Sequence, residues 1–126
     1  MSKTNNVFVY GTLKKGDTRR GLDRWATGVA FVGPAVTSKS SYSLYSLGAF
    51  PAVELNGNSQ ISGEVWSVDD TTLEDLDRIE GYPDFYKRTQ IDTTQGRAWI
   101  YYIPNIESYQ ATYIEPDTNN ITSWRN

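Results

Sequence analysis

Seven short runs of β-branched and aromatic residues are the feature that most limits the folds open to this chain. They cover residues 6–10, 28–37, 42–47, 52–55, 61–68, 86–93 and 97–103. Strands so short and so closely spaced favour a single curved sheet in which most neighbours are antiparallel. We therefore predict an α+β fold, a small mixed, mainly antiparallel β-barrel with one helix packed against it.

Three segments predict how the strands are joined or bent. The pair Asn56-Gly57 separates two runs and is a strong signal for a two-residue hairpin turn. Residues 94–96 predict a second hairpin between the last two runs. The pair Gly33-Pro34 lies inside a run and predicts a bulge or an edge position, because proline cannot donate to a hydrogen-bonded ladder.

The helix is predicted over residues 71–79. Thr71, with Glu74 three positions later, matches a capping box, which is a common way for a helix to begin. Gly81, followed by Pro83, marks the end of the helix because glycine readily closes its last turn.

Helical spacing makes Glu80 a candidate general base. Leu73, Leu76 and Ile79 are expected to pack on the sheet, and Glu80 follows Leu73 by seven residues and Leu76 by four. A carboxylate on an apolar face, at the negative end of a helix dipole, holds its proton more tightly than a free one. The alternative is a frayed helix end in water. The remaining acidic residues fall off this face and are expected to be solvated: Glu74, Asp75 and Asp77.

Two absent residue types narrow the chemistry. The chain contains no cysteine and no histidine. Disulfides, thiol nucleophiles, Ser-His and Cys-His arrangements and histidine-based metal sites are therefore excluded. Acid–base catalysis must use Asp, Glu, Lys, Tyr or a chain terminus, and we expect neither a metal nor a cofactor.

Length and charge limit the organisation and the partners. The 126 residues predict one domain spanning residues 1–126. Twelve Lys and Arg against 15 Asp and Glu give a net charge of −3, which does not favour nucleic-acid binding. No apolar run reaches transmembrane length, and the first six residues do not resemble a signal peptide. We expect a cytoplasmic protein that binds neither nucleic acid nor a membrane.

The first run leads into a glycine loop. Gly11 and Gly16 have the separation of a phosphate-binding loop, but Asp17 stands where that motif requires lysine and would repel a phosphate. Backbone N–H groups of such a loop can still hold an anion or an oxyanion. An ordinary turn is the alternative.

Four segments, taken together, point to a family. They are residues 9–16, 45–53, 61–66 and 76–83, with Tyr86 and Arg88 after them. In order and spacing, over roughly residues 7–103, the chain resembles the γ-glutamylcyclotransferase-like family, also called the AIG2-like family. Near the end it departs from the family pattern, because the expected Gly-Asp before Trp124 is missing.

The resemblance implies a pocket that holds a γ-glutamyl group. It assigns substrate binding to the loop Tyr10, Gly11, Thr12 and Leu13 and general acid–base catalysis to Glu80. Tyr86 is expected to bind the substrate or to orient Glu80; a core tyrosine on a strand is the alternative. Asp84 is a weaker candidate for a second acid, since it follows a proline in a turn and is expected to be solvated.

The implied activity suits a chain without histidine or cysteine. In a γ-glutamyl amide the α-amine can attack the γ-carbonyl, which closes 5-oxoproline and releases an amine. We therefore expect an enzyme of the γ-glutamylcyclotransferase or γ-glutamylamine cyclotransferase type, acting on a small-molecule γ-glutamyl substrate. Two alternatives remain open: a non-catalytic module that binds a small ligand or a protein, and a different lyase or amidase reaction on a similar substrate.

Overall fold

The computed structural model describes residues 4–11, 14, 21–22 and 26–124. Its elements, in order, are β1 (Thr4–Val9), β2 (Val29–Val36), β3 (Tyr42–Ser46), β4 (Pro51–Asp69), helix α1 (Asp70–Glu80), β5 (Lys87–Thr93), β6 (Gly96–Tyr102), a 3₁₀ turn (Ile106–Ser108), β7 (Thr112–Ile114) and β8 (Ile121–Thr122). None of the helices formed by these residues has the length and apolar character needed to cross a bilayer.

The long strand β4 is the centre of the sheet. It pairs antiparallel with β1, β2 and β3, and the path of neighbours runs β5-β6-β1-β4-β3-β7. Strand β6 lies parallel to β1 and also meets the beginning of β4, where Tyr102 pairs with Val53. Because β6 contacts both strands, the sheet curls into a barrel-like shape. The predicted mixed, mainly antiparallel α+β fold is confirmed.

The predicted hairpin at Asn56-Gly57 is wrong. Strand β4 does not reverse there; it pairs with β3 on both sides of a bulge at residues 55–58. Gly57 lies so close to β3 that a Cβ would stand 2.1 Å from the Ser43 hydroxyl oxygen. Glycine is needed there for a close backbone approach, not for a turn. The other two predictions are confirmed: β5 and β6 form a hairpin, and the β2–β4 register shifts between Phe31 and Gly33.

Helix α1 begins earlier than the capping box predicts. Asp69, the last residue of β4, is the N-cap, and its Oδ1 accepts a hydrogen bond from the Thr72 backbone N–H at 2.8 Å. A hydrogen bond from the Thr72 side chain, and then the one from its backbone N–H, lower the pKa of the Asp69 carboxyl. Strand β4 runs directly into the helix, so its own terminal side chain reaches the first free amides. The predicted end is confirmed, because Gly81 adopts a left-handed φ of 67°.

The helix packs on the sheet through Leu73 and Leu76, as predicted. Their side chains are 9% and 0% exposed. Ile79, which was expected to join them, is 42% exposed. At about 100° per residue, Ile79 lies about 120° around the helix from Leu73, and it therefore points past the sheet.

Candidate active site

A cavity of about 240 Å³ opens beside the C-terminal end of α1. Five parts of the chain form its walls: the end of β1, the turn that enters β4, the last residues of α1, the segment ahead of β5, and Tyr101 in β6. The predicted site residues Tyr10, Gly11, Glu80 and Tyr86 all line this cavity. The other two predicted binding residues, Thr12 and Leu13, lie outside the described residues.

Gly11, just after β1, lies close to the entrance of β4. A Cβ at this position would lie 2.8 Å from the Pro51 ring, closer than packed carbon atoms allow. The Gly11 carbonyl oxygen accepts a hydrogen bond from the Lys14 N–H at 3.2 Å. Lys14 also reaches the tail, where its Nζ donates to the Trp124 carbonyl oxygen at 3.4 Å.

Glu80 is the last residue of α1, and it is half-buried. The Tyr86 backbone N–H donates to the Glu80 carbonyl oxygen at 3.3 Å, so the chain folds back beneath the helix end. Glu80 carries the only charged side chain among the described residues that line the cavity. Glu74 and Asp84 are exposed to solvent, as expected.

Three buried tyrosines line the cavity, and two of them, Tyr10 and Tyr86, donate their hydroxyl hydrogens to backbone carbonyl oxygens. The Tyr10 hydroxyl donates to the Tyr101 carbonyl oxygen at 2.6 Å and accepts from the Val53 N–H at 3.1 Å. The Tyr86 hydroxyl donates to the Pro51 carbonyl oxygen at 2.7 Å. Burial, followed by the nearby Tyr86 and Glu80, raises the pKa of Tyr10 well above its usual value. Tyr10 is therefore a neutral phenol at physiological pH.

The expectation that Asp77 is solvated is wrong. Its carboxylate accepts hydrogen bonds from Arg88 Nε at 2.9 Å, from Arg88 Nη2 at 3.2 Å and from the Tyr101 hydroxyl at 2.7 Å. The Arg88 guanidinium also lies over the rings of Tyr82 and Trp99, 4.7 and 4.4 Å from their centroids.

A signal for Asp77 was present in the sequence. Asp77 follows Leu73 by four residues and precedes Glu80 by three, so it lies at the edge of the same helical face. Arg88 and Tyr101 could not be paired with it in advance, because their proximity depends on the register of β5 and β6, where Arg88 lies opposite Tyr101.

A comparison with protein families identifies the chain. The family model described as "Gamma-glutamyl cyclotransferase, AIG2-like" matches residues 7–125. This chain belongs to that family. The resemblance read from four sequence segments is thereby confirmed, and the match extends past residue 103 into the tail, where the Gly-Asp of the pattern is missing.

The similar proteins and the similar solved structure described next each cover most of the chain. A Vibrio cholerae protein is 41% identical over 95 residues, which are 75% of this chain and 78% of that protein. The gamma-glutamylcyclotransferase family protein YtfP of Escherichia coli strain K12 is 37% identical over 95 residues, 75% of this chain and 79% of YtfP. The crystal structure of a mouse AIG2-like protein shares the fold, with a TM-score of 0.68 and 23% identity over 98% of this chain and 97% of that one.

The cavity of this family member combines one carboxylate with an apolar enclosure. A carboxylate such as that of Glu80 can accept and return a proton, and Gly11 lies among the residues that line the same cavity. No group of three or more potential carboxylate ligands for a metal ion converges among the described residues.

Proposed function

We propose that this protein is a γ-glutamylcyclotransferase that releases 5-oxoproline and an amine from a γ-glutamyl amide. The observation that carries the proposal is that Glu80 lines the same cavity as Tyr10, Gly11 and Tyr86. Membership of the γ-glutamyl cyclotransferase, AIG2-like family supports the substrate class.

The reaction is an internal acyl transfer within the substrate. The α-amine nitrogen attacks the γ-carbonyl carbon, a C–N bond forms, and the five-membered ring closes. The C–N bond to the leaving amine then breaks. Because the nucleophile and the electrophile belong to one molecule, the protein has only to fold the substrate and move protons.

Glu80 would carry the protons. Its carboxylate takes one proton from the substrate α-ammonium, which frees the nitrogen lone pair for attack, and the resulting carboxylic acid gives that proton to the leaving nitrogen. The attack leaves a second proton on the ring nitrogen, which the regenerated carboxylate takes up and passes to the departing amine, so that the amine leaves as an ammonium ion. The positive charge of the substrate α-ammonium thus ends on the released amine, and no oxidant, reductant or second substrate is required.

The loop from Tyr10 to Leu13 would bind the rest of the γ-glutamyl group. Gly11 lets the backbone approach the cavity without a side chain between the N–H groups and the substrate. Such N–H groups can stabilise the oxyanion on the γ-carbonyl or hold the α-carboxylate. Tyr86, whose hydroxyl donates to the Pro51 carbonyl oxygen, would help to hold the substrate or orient Glu80 from the cavity wall.

One assay tests the proposal against both alternatives. The protein is incubated with a panel of γ-glutamyl amides, and 5-oxoproline, glutamate and the freed amine are quantified by chromatography and mass spectrometry. We expect 5-oxoproline and amine in equal amounts. Glutamate in place of 5-oxoproline would indicate an amidase. Saturable binding of the same compounds without turnover would support the non-catalytic binding module.

A further inference from the structure

We infer that Tyr10 is a positioning residue, whose hydroxyl group fastens β4 to β6 and so holds the binding loop at the cavity without contacting the substrate. The inference rests on the proposed function, because the loop that begins at Tyr10 is the proposed binding site for the γ-glutamyl group. The family resemblance implies substrate binding for Tyr10, and the contacts of its hydroxyl give the side chain a different role.

Strand β6 changes its neighbour beside Tyr10. It first lies parallel to β1 and then meets β4 at one pair, Val53 and Tyr102. A residue in a parallel ladder bonds to the two residues that flank its partner. On one side of this pair the Ile103 N–H donates to the Val53 carbonyl oxygen at 3.2 Å. The groups that remain on the other side are the Val53 N–H and the Tyr101 carbonyl.

The Tyr10 hydroxyl binds both of these remaining groups. It donates to the Tyr101 carbonyl oxygen at 2.6 Å and accepts from the Val53 N–H at 3.1 Å. The phenol therefore links the two strands at the point where they meet. Its single hydrogen is used in this link, and the side chain is only 6% exposed. It has no hydrogen left to donate to a substrate.

The start of the binding loop is placed by the same link. Strand β1 pairs with residues 64–69, at the far end of β4, whereas the Tyr10 hydroxyl reaches Val53 near the beginning of that strand. Gly11 lies against Pro51, so close that a Cβ would stand 2.8 Å from the proline ring. The hydrogen bond and the packing contact are two residues apart on β4. The phenol thereby sets where the Gly11 N–H lies relative to the cavity.

Tyr10→Phe tests this role, because it removes the hydroxyl and keeps the ring. With γ-glutamyl methylamide, KM should rise about tenfold or more and kcat should fall less than about threefold, because the loop shifts while Glu80 is held by its helix. The matched control is Ser59→Ala. The buried Ser59 hydroxyl donates to the Tyr42 carbonyl oxygen at 3.0 Å and lies 2.9 Å from the Thr122 hydroxyl, outside the cavity.

Both variants should have a lower melting temperature, since each deprives buried polar groups of a partner. Only Tyr10→Phe should change KM. An unchanged KM in Tyr10→Phe, or an equal rise in Ser59→Ala, would overturn the inference.

Amide NMR of the wild type separates positioning from direct contact with the substrate, which would also raise KM. Saturating 5-oxoproline should shift the Gly11 amide resonance and leave the slow hydrogen exchange of the Val53 amide unchanged, because the phenol keeps its bonds. Faster exchange at Val53 would show that the phenol turns to the ligand, and an unmoved Gly11 resonance would contradict the role of the loop. Either result would overturn the inference, even if Tyr10→Phe does not fold.

Failure of the proposed function would be recognised separately. Absence of 5-oxoproline from every amide would overturn that function and, with it, the role of Tyr10 in substrate binding. Slow exchange of the Val53 amide would still report the link between β4 and β6. Turnover by the wild type with an unchanged KM in Tyr10→Phe would instead overturn the inference alone.

Discussion

The Arg88 guanidinium on β5 donates two hydrogen bonds to the Asp77 carboxylate of α1, from Nε to Oδ1 at 2.9 Å and from Nη2 to Oδ2 at 3.2 Å. Asp77 precedes Glu80 by three residues, so the pair is one helical turn from the proposed acid–base group. The Tyr101 hydroxyl binds the same carboxylate from β6. These bonds fasten the last turn of the helix to the sheet that forms the cavity.

Arg88→Lys is expected to reduce the free energy of unfolding by about 1–2 kcal/mol, because lysine cannot reproduce the two-point contact. The Arg88 and Asp77 side chains are only 16% and 19% exposed, so solvent screens this pair weakly. The matched control is Arg97→Lys, whose partner Asp92 lies 3.0 Å away in a pair that is 59% and 53% exposed. That change should cost less than about 0.5 kcal/mol.

Urea denaturation of both variants, with kinetics of 5-oxoproline release, checks this prediction. A loosened helix end should lower kcat for Arg88→Lys more than it raises KM, since Glu80 loses its alignment. Equal stability losses for the two arginine variants would show that the Asp77–Arg88 pair contributes no more to the free energy of unfolding than the exposed Asp92–Arg97 pair.

Much of this arrangement could be predicted from local sequence. Gly81 closes the helix, Leu73 and Leu76 pack on the sheet, and Glu80 follows them into the cavity, because these features depend on residues within two turns of each other. The start of the helix could not be read in the same way. Asp69 and Thr71 are both acceptable N-caps, and only the length of β4 decides between them.

Long-range pairing sets the features that local patterns miss. The pair Asn56-Gly57 has the sequence of a hairpin turn but lies in a bulge at residues 55–58. Because β4 pairs with β3 before and after this bulge, the strand continues instead of reversing. Asp77 likewise resembles any surface carboxylate until Arg88 and Tyr101 are brought beneath the helix. Tertiary contacts of this kind override turn and helix propensities.

The buried phenols predict loss of stability at high pH. Burial, ahead of the bond to Asp77, raises the pKa of Tyr101, and burial also raises that of Tyr10, above the usual value near 10. In the unfolded chain both phenols ionise near pH 10, while in the folded chain they keep their protons. The stabilisation is therefore complete below about pH 10 and declines as the pH rises further.

Urea midpoints measured from pH 8 to pH 11 check this expectation. The midpoint should stay nearly constant to about pH 9.5 and then fall. Tyr101→Phe should have a lower midpoint throughout, because Asp77 loses a hydrogen bond, and a shallower decline above pH 10. An unchanged slope in that variant would remove Tyr101 from the explanation.

Gly11→Ala tests the close approach between the binding loop and the entrance of β4. The new methyl group would meet the Pro51 ring at 2.8 Å, so the loop or Pro51 must move. Pro51 also accepts the Tyr86 hydroxyl, and displacement would therefore disturb two walls of the cavity. We expect kcat/KM to fall about 10- to 100-fold, as misplacement of about 1 Å can cause. Steady-state kinetics and a thermal melt of the variant would separate this effect from unfolding. Kinetic constants equal to those of the wild type would show that the loop does not bind substrate.

Glu80→Gln is the sharpest test of the proposed mechanism. The amide is nearly isosteric and removes a charge from a half-buried position, so the fold should be kept. Without a group that accepts and returns a proton, kcat should fall about 10²–10⁴-fold. Substrate affinity should fall far less, because the loop at Gly11 still holds the γ-glutamyl group. The matched control is Glu74→Gln, on the exposed side of the same helix, which should keep wild-type activity. Measurements of 5-oxoproline release, substrate binding and thermal unfolding on both variants decide the matter, and full activity in Glu80→Gln would end the mechanism proposed for this residue.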